Sequence, residues 1–166
     1  MQESSVIETT KRDQRFSVLI ADDVHGDRFL LKRAIKVGAP CLTVVGEVEG
    51  GAEIIAYLSG DSKYVDRERY PFPDLLFLDL RMPCIDGFDV LAWLQKQAFP
   101  RFKVIVLAGS LESNDRQKML ELGVEYAYLK PWRYEALADV LRTVEADLIS
   151  NGHENGPAVT PVPNIF

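Results

Sequence analysis

The chain has 166 residues, of which 47% are hydrophobic and 27% charged, and a formal net charge of −6 at pH 7. That composition suits one globular domain with a sizeable core, and the acidic balance excludes the basic footprint of a nucleic-acid binder. Cys41 and Cys84 are the two cysteines; they have no metal-type spacing and make no disulfide framework, so a reducing cytoplasm is the expected setting.

Residues 1–15 are polar and lack the apolar core of a signal peptide, and no later run approaches a membrane span. They read as a flexible N-terminal segment ahead of a folded domain over 16–149. Phe16 to Ala21 is a strand that ends on Asp22-Asp23. Val24-His25-Gly26 turns, and Asp27 is placed to cap the next helix, in which Leu30, Leu31, Ala34 and Ile35 repeat at helical spacing before Gly38 and Pro40. Leu42 to Val48 is β-branched and strand-like. Gly50-Gly51 then leads into a short helix carrying Ile54, Ile55 and Leu58 and closed by Gly60. Residues 61–73 form a long polar loop with interleaved Tyr and Phe, expected to be a solvated insertion.

The apolar run Leu75 to Leu78, bounded by Pro73-Asp74, is too short for a helix and reads as a strand buried on both faces, leading into Asp79. Met82-Pro83 and Asp86-Gly87 build the following turn. A helix starts near Gly87 with Val90, Leu91 and Leu94 inward and Trp93 packing at its flank. Val104 to Leu107 is a fourth strand running into Ala108-Gly109-Ser110. Ser110 or Ser113 is the expected cap of a helix that ends at Leu122-Gly123. Tyr126 to Leu129 is a fifth strand, followed by Lys130-Pro131, and Leu137, Val140, Leu141, Val144 and Leu148 stripe a last helix. Residues 150–166, rich in Gly, Pro, Asn and Thr, read as a flexible tail.

Five strand–helix units predict an α/β fold: a doubly wound, five-stranded parallel sheet of order 2-1-3-4-5, flavodoxin-like. In that order strands one and three are neighbours, so Asp23 and Asp79 converge at the carboxyl edge where such sheets bind ligands. Carboxylates this close repel, and a hard divalent cation such as Mg²⁺ relieves the repulsion. Lys130 adds a mobile cation suited to a phosphoryl oxygen. A metal, a carboxylate nucleophile and a lysine together describe phosphoryl transfer onto Asp79 to give an acyl phosphate.

With these residues in this order, the chain resembles the receiver domain of two-component response regulators over roughly residues 16–149. The carrying motifs are Asp22-Asp23, Asp79 with Met82-Pro83 and Asp86-Gly87, and Lys130-Pro131. The 61–73 loop resembles single-domain receivers paired with phytochrome-type kinases. The resemblance implies that Asp79 is the phosphoacceptor for a sensor histidine kinase or phosphotransfer protein. It implies that Mg²⁺ is held by Asp23, Asp79 and the backbone carbonyl of Arg81, with Asp22 assisting through water, and that Lys130 contacts the phosphoryl group. The chain would then be no enzyme beyond its own phosphorylation and dephosphorylation. Output would pass to a downstream protein target by protein contact through helix 4, strand 5 and helix 5, a face the family also uses to form homodimers.

Two positions depart from the family. Ala108 stands where a Ser or Thr ends the fourth strand, and Ala127 stands where an aromatic switch residue is common. A hydroxyl bond to a charged phosphoryl contributes roughly 1.5–3 kcal/mol. Its loss leaves the backbone amide of Gly109 to serve, or a shifted Ser110, or a domain that works as a phosphate sink or shuttle. Tyr128 would be the switch aromatic only if the fifth strand were offset by one residue. A degenerate receiver acting as a phosphorylation-independent interaction module is the alternative. A phosphohydrolase of haloacid-dehalogenase type is disfavoured because Leu80-Arg81 follows Asp79 where a second acid belongs. His25 and Cys84 read as turn residues, and Arg81 as a side chain able to gate the site. Ala108→Thr is predicted to change the lifetime of the phosphorylated form and to enlarge its conformational response. Equal lifetimes and equal chemical-shift changes with and without the substitution would sink that expectation.

Overall fold

In a computed structural model, residues 14–100 and 102–151 are described. The expectations for residues 1–13 and for the tail beyond Asn151 lie outside them. Strands β1 (Phe16–Ala21), β2 (Leu42–Val48), β3 (Leu75–Leu78), β4 (Lys103–Ala108) and β5 (Tyr126–Leu129) form one parallel sheet of order β2-β1-β3-β4-β5. The helices are α1 (His25–Gly38), α2 (Gly51–Ser59), α3 (Gly87–Leu94), α4 (Asp115–Glu121) and α5 (Tyr134–Asn151). The α5 helix thus takes in residues 150 and 151, where the tail was expected to begin. No helix among the described residues is long and apolar enough to cross a membrane.

The strands are apolar at consecutive positions because both sheet faces are covered. Val18, Ile20, Phe77, Ile105, Leu107 and Tyr128 point to the layer built by α1 and α5. Their strand neighbours Leu19, Ala21, Leu76, Leu78, Val106 and Ala108 point to the layer of α2, α3 and α4. The period of two splits each strand between the cores. The first layer closes where α1 meets α5: a Cβ at Gly38 would lie 2.6 Å from the Ala138 carbonyl oxygen, so only glycine allows this approach. The amino ends of β4 and β5 are tied to α5 by Asp147, which accepts from Lys103 Nζ at 3.3 Å and Tyr126 Oη at 2.7 Å.

Two expectations about helix starts are corrected. Val24, in extended conformation, is the N-cap of α1 and makes no side-chain cap bond; Asp27 lies inside the first turn with its carboxylate drawn to Lys130. The α4 helix begins at Asp115, beyond both Ser110 and Ser113, and Asp115 reaches back to accept the Glu112 amide at 2.8 Å. By contrast, α3 opens on a reciprocal capping box between Asp86 and Asp89.

The 61–73 segment is only in part the solvated insertion expected: its acids and Lys63 are exposed, whereas its aromatic residues and Arg67 pack back on the domain. After a 3₁₀ turn over Ser62–Tyr64, Tyr64 is buried, and its ring centroid lies 4.7 Å from Tyr57 and 5.0 Å from Tyr70. Arg67 folds back over Gly60, itself in the left-handed region at φ 72°, and donates to the Tyr57 and Leu58 carbonyls at 2.8 Å each. One guanidinium thereby donates to two of the last carbonyls of α2, of which that of Tyr57 also accepts the Gly60 amide at 3.2 Å. The sequence shows Arg67 only as one more charge in a polar run, which is why its packing escaped the sequence reading. Arg67→Ala should therefore cost about 1–3 kcal/mol. It should also remove amide hydrogen-exchange protection across 57–70 while leaving β1 and β3 unchanged. A uniform loss of protection across the domain would contradict this assignment.

Candidate functional site

Parallel pairing runs one residue beyond the strands and carries the acids with it. The Asp79 amide donates to the Ala21 carbonyl at 2.9 Å, and the Asp22 amide to the Val48 carbonyl at 3.1 Å. Both carboxylates are nearly buried, Asp22 at 6% and Asp79 at 5% exposure, whereas Asp23 is exposed. Carboxylate oxygens of Asp22, Asp23 and Asp79 lie within 4.8 Å of one another. Behind them, Gly87 packs on the turn: a Cβ there would stand 2.5 Å from the Asp79 carbonyl oxygen. Any side chain at Gly87 would push the end of β3 out of place.

Lys130 enters from β5. Its amide donates to the Ala108 carbonyl at 2.7 Å, which extends the β4–β5 ladder to the site. Its Nζ lies 2.6 Å from Asp22 Oδ2, 2.8 Å from Asp27 Oδ2 and 3.5 Å from Asp79 Oδ2. Burial alone would lower the Lys130 pKa, but hydrogen bonds to Asp22 and Asp27 outweigh it and push the ammonium up to about 12. Asp79 is held above the usual carboxylate range, first by burial and then by Asp22 and Asp23; Lys130 and the Arg81 amide pull it back.

Asp22 is braced from behind. Arg28, buried at 5% exposure, donates to the Asp22 carbonyl at 2.7 Å and to Glu49 Oε1 at 2.7 Å. The Val24 amide donates to Asp22 Oδ1 at 2.9 Å. His25 is exposed, with Nδ1 3.4 Å from an Arg28 nitrogen. Asp27 and Arg28 are the site residues that sequence reasoning missed. The signal was available: both fall on the first turn of the helix that follows the acidic pair.

Arg81 does not hang over the site as a gate. Its guanidinium pairs with Asp115, which is 1% exposed, and with Glu112 at 3.2 Å, and it lies 5.8 Å over the Phe88 ring. Ala108 is buried and Ala127 half-buried on the α2–α4 side of the sheet, whereas Tyr128 belongs to the opposite core. The fifth strand therefore has the register that makes Ala127, not Tyr128, the residue facing α4. Gly109 and Ser110 are exposed in the β4–α4 loop. Cys84 is exposed in the β3–α3 turn, at the unusual φ of 68°.

A divalent cation fits this donor set. Asp79 Oδ1 is buried without a hydrogen-bond partner, a condition native proteins rarely leave unexplained. It belongs to an oxygen-only cluster of the kind hard cations prefer. Folding raises the Asp79 pKa, chiefly by burial, so the group's stabilising contribution is complete below the unfolded carboxylate pKa. That contribution is lost as pH rises through the higher folded value. In chelator at neutral pH, Asp79→Asn should raise the melting temperature by about 2–5 °C, and the gain should shrink as pH falls toward 4. Magnesium should raise the melting temperature of the unaltered chain and not that of the variant. A variant that melts lower at neutral pH in chelator would refute this account.

The sequence matches the response regulator receiver domain over residues 18–142. It is 29% identical over 140 residues to the sensor protein EvgS of Escherichia coli O157:H7, and 31% identical over 151 residues to the DNA-binding transcriptional regulator NtrC of Escherichia coli K12. These alignments take in 84% and 87% of the chain but 10% and 29% of those longer proteins. Among solved structures, the phosphorylated cyanobacterial phytochrome response regulator RcpA is similar at a TM-score of 0.72 and 27% identity, over 82% of this chain and 96% of that one. The match takes in most of β1, all of β2 to β5 and the acidic pocket with its lysine: the chain belongs to the response regulator receiver domain family.

Proposed function

We propose that this chain is a single-domain response regulator that accepts a phosphoryl group on Asp79 from the phosphohistidine of a sensor histidine kinase or a phosphotransfer protein. The observation that carries the reading is the buried Asp79 carboxylate, with one oxygen unpartnered and the Lys130 ammonium 3.5 Å from the other. Asp23, Asp79 and the Arg81 backbone carbonyl would hold Mg²⁺, with Asp22 acting through water. When bound, Mg²⁺ supplies positive charge for the phosphoryl oxygens and offsets the repulsion among the acids.

An Asp79 oxygen attacks phosphorus, forming the P–O bond as the P–N bond breaks and the electron pair returns to the donor imidazole. Lys130 moves onto a phosphoryl oxygen, and the Gly109 amide donates to another. The chain's chemistry is confined to gaining and losing this group. A cytoplasmic setting fits the free cysteines, Cys41 and Cys84. Output passes by contact to a downstream protein target. Exposed Leu120 on α4 and Leu129 on β5 favour the α4–β5–α5 face for that contact or for homodimerisation.

Ala108 and Ala127 favour a second reading, a receiver that works as a phosphorylation-independent interaction module or as a phosphate sink or shuttle. Intact-mass measurement after incubation with acetyl phosphate separates the phosphoaccepting readings, sink or shuttle included, from the phosphorylation-independent module. One phosphoryl increment that requires Mg²⁺ and vanishes in Asp79→Asn is the expected result. No increment, with small donors or with kinases, would retire the phosphoacceptor reading in favour of the constitutive module.

A further inference from the structure

We propose that Asp27 is a positioning residue for phosphoryl transfer: its carboxylate seats the Lys130 ammonium away from Asp79, and an incoming phosphoryl group must draw the lysine off that seat. The inference rests on the phosphoacceptor reading of Asp79 and adds a fourth acid to it.

Lys130 Nζ has three protons to donate. Hydrogen bonds go to Asp22 Oδ2 at 2.6 Å and Asp27 Oδ2 at 2.8 Å, while Asp79 Oδ2, at 3.5 Å, is within ion-pair reach only. Asp27 is not adventitiously near. The α1 backbone fixes it, since the Asp27 and Arg28 amides both donate to the Val24 carbonyl, at 3.1 and 3.2 Å. The next side chain, buried Arg28, bonds the Asp22 carbonyl. The first turn of α1 is therefore one rigid piece with the acidic turn, and Asp27 keeps its place relative to Asp22.

The two acids that hold the lysine are not equivalent. Asp22 belongs to the cluster of carboxylates placed to share a cation, and Asp27 does not. Once a cation engages Asp22, Asp27 remains the anion free to retain the ammonium. Asp22, Asp27 and Lys130 also border a small cavity of about 50 Å³ whose other walls include Leu30, Leu31 and Leu107. An apolar wall on one side of an ion pair strengthens it relative to the same pair in water. Asp27 itself is half-exposed, so the hold is moderate and can be broken within the reaction.

The test compares the full chain with Asp27→Asn and Asp27→Glu by two readouts. The first needs no phosphorylation: the ¹⁵N-correlated signal of a held lysine ammonium, assigned by its loss in Lys130→Arg. It should be present in the Mg²⁺-loaded chain, where a cation engages Asp22, lost there in Asp27→Asn and retained in Asp27→Glu. The second is the phosphorylation rate with acetyl phosphate at saturating Mg²⁺. It should rise roughly two- to fivefold in Asp27→Asn, the range a partly exposed ion pair spans, and return toward the unaltered rate in Asp27→Glu. An ammonium signal indifferent to Asp27→Asn overturns the proposal. So does a lost signal with an unaltered rate. If the unaltered chain takes no phosphoryl group, the acceptor reading fails and Asp27's part in transfer falls with it, while the ammonium signal still reports whether the ion pair exists.

Discussion

One ammonium set against crowded carboxylates is the constraint on which this site depends. Asp22 and Asp79 are carried into a nearly dry corner by backbone ladders that run past their strands. Two such anions a few ångströms apart destabilise the fold unless something positive lies between them. Lys130 is that group, and it too is delivered by a ladder bond, from its amide to Ala108. The strand order matters for this reason. Any other placement of β1, β3 and β5 at the carboxyl edge would leave the acids uncompensated or the lysine idle. Gly87 contributes by absence: with no Cβ, it lets the start of α3 lie against the Asp79 carbonyl, so that end of the strand cannot drift.

The same crowding gives the site its chemistry. On the proposed phosphoacceptor reading, a site that neutralised Asp79 completely would leave nothing to attract a cation or to attack phosphorus. Here Lys130 spends its hydrogen bonds on Asp22 and Asp27, and Asp79 retains an unpartnered oxygen and a pKa raised by burial. The carboxylate is poised because its partner is engaged elsewhere. Arg28 supports this indirectly. By holding the Asp22 carbonyl it keeps the acidic turn closed, and its burial makes that restraint stiff.

Much of this was legible in the sequence, for a physical reason. Strands buried on both faces must be continuously apolar, so the polar residue that ends each run is conspicuous: Asp22, Asp79 and Lys130 stand out against Ala21, Leu78 and Leu129. Alternating strands and helices then implied a parallel sheet covered on both faces, and the order 2-1-3-4-5, one of the two common in doubly wound sheets, brings strands one and three together. What was not legible depends on side chains meeting across the chain. Asp27 has the composition of a helix cap, and only the approach of Lys130 across the sheet recruits it. Arg67 and Tyr64 lie in a run of charges and aromatics that reads as solvated; the end of α2 and the Tyr57 ring give them partners that no periodicity encodes. Arg81 was taken for a gate because its neighbour in sequence is the site, whereas its partner, Asp115, is a buried acid at the start of α4.

That last pairing bears on how a change at Asp79 could reach the surface. On the proposed receiver reading, Ala108 and Ala127 place methyl groups where a hydroxyl and an aromatic ring would tie phosphorylation to movement of the β4–α4 region. Another connection exists in this chain. Arg81 lies two residues beyond Asp79 in the same turn, its amide bears on the Asp79 carboxylate, and its guanidinium grips Asp115 and Glu112. Phe88, on α3, has Arg81 over its ring at 5.8 Å and Lys118 of α4 at 5.3 Å, so the two elements are stitched twice. The bond is asymmetric: Arg81 is partly exposed and keeps water as a substitute partner, whereas Asp115 is sealed in and would fall back on the neutral Glu112 amide. Displacing Arg81 would therefore disturb α4 more than the turn it leaves, since an unpaired buried carboxylate is costly where an exposed guanidinium is not. Mechanical continuity between the turn after Asp79 and α4 thus runs through a charge pair.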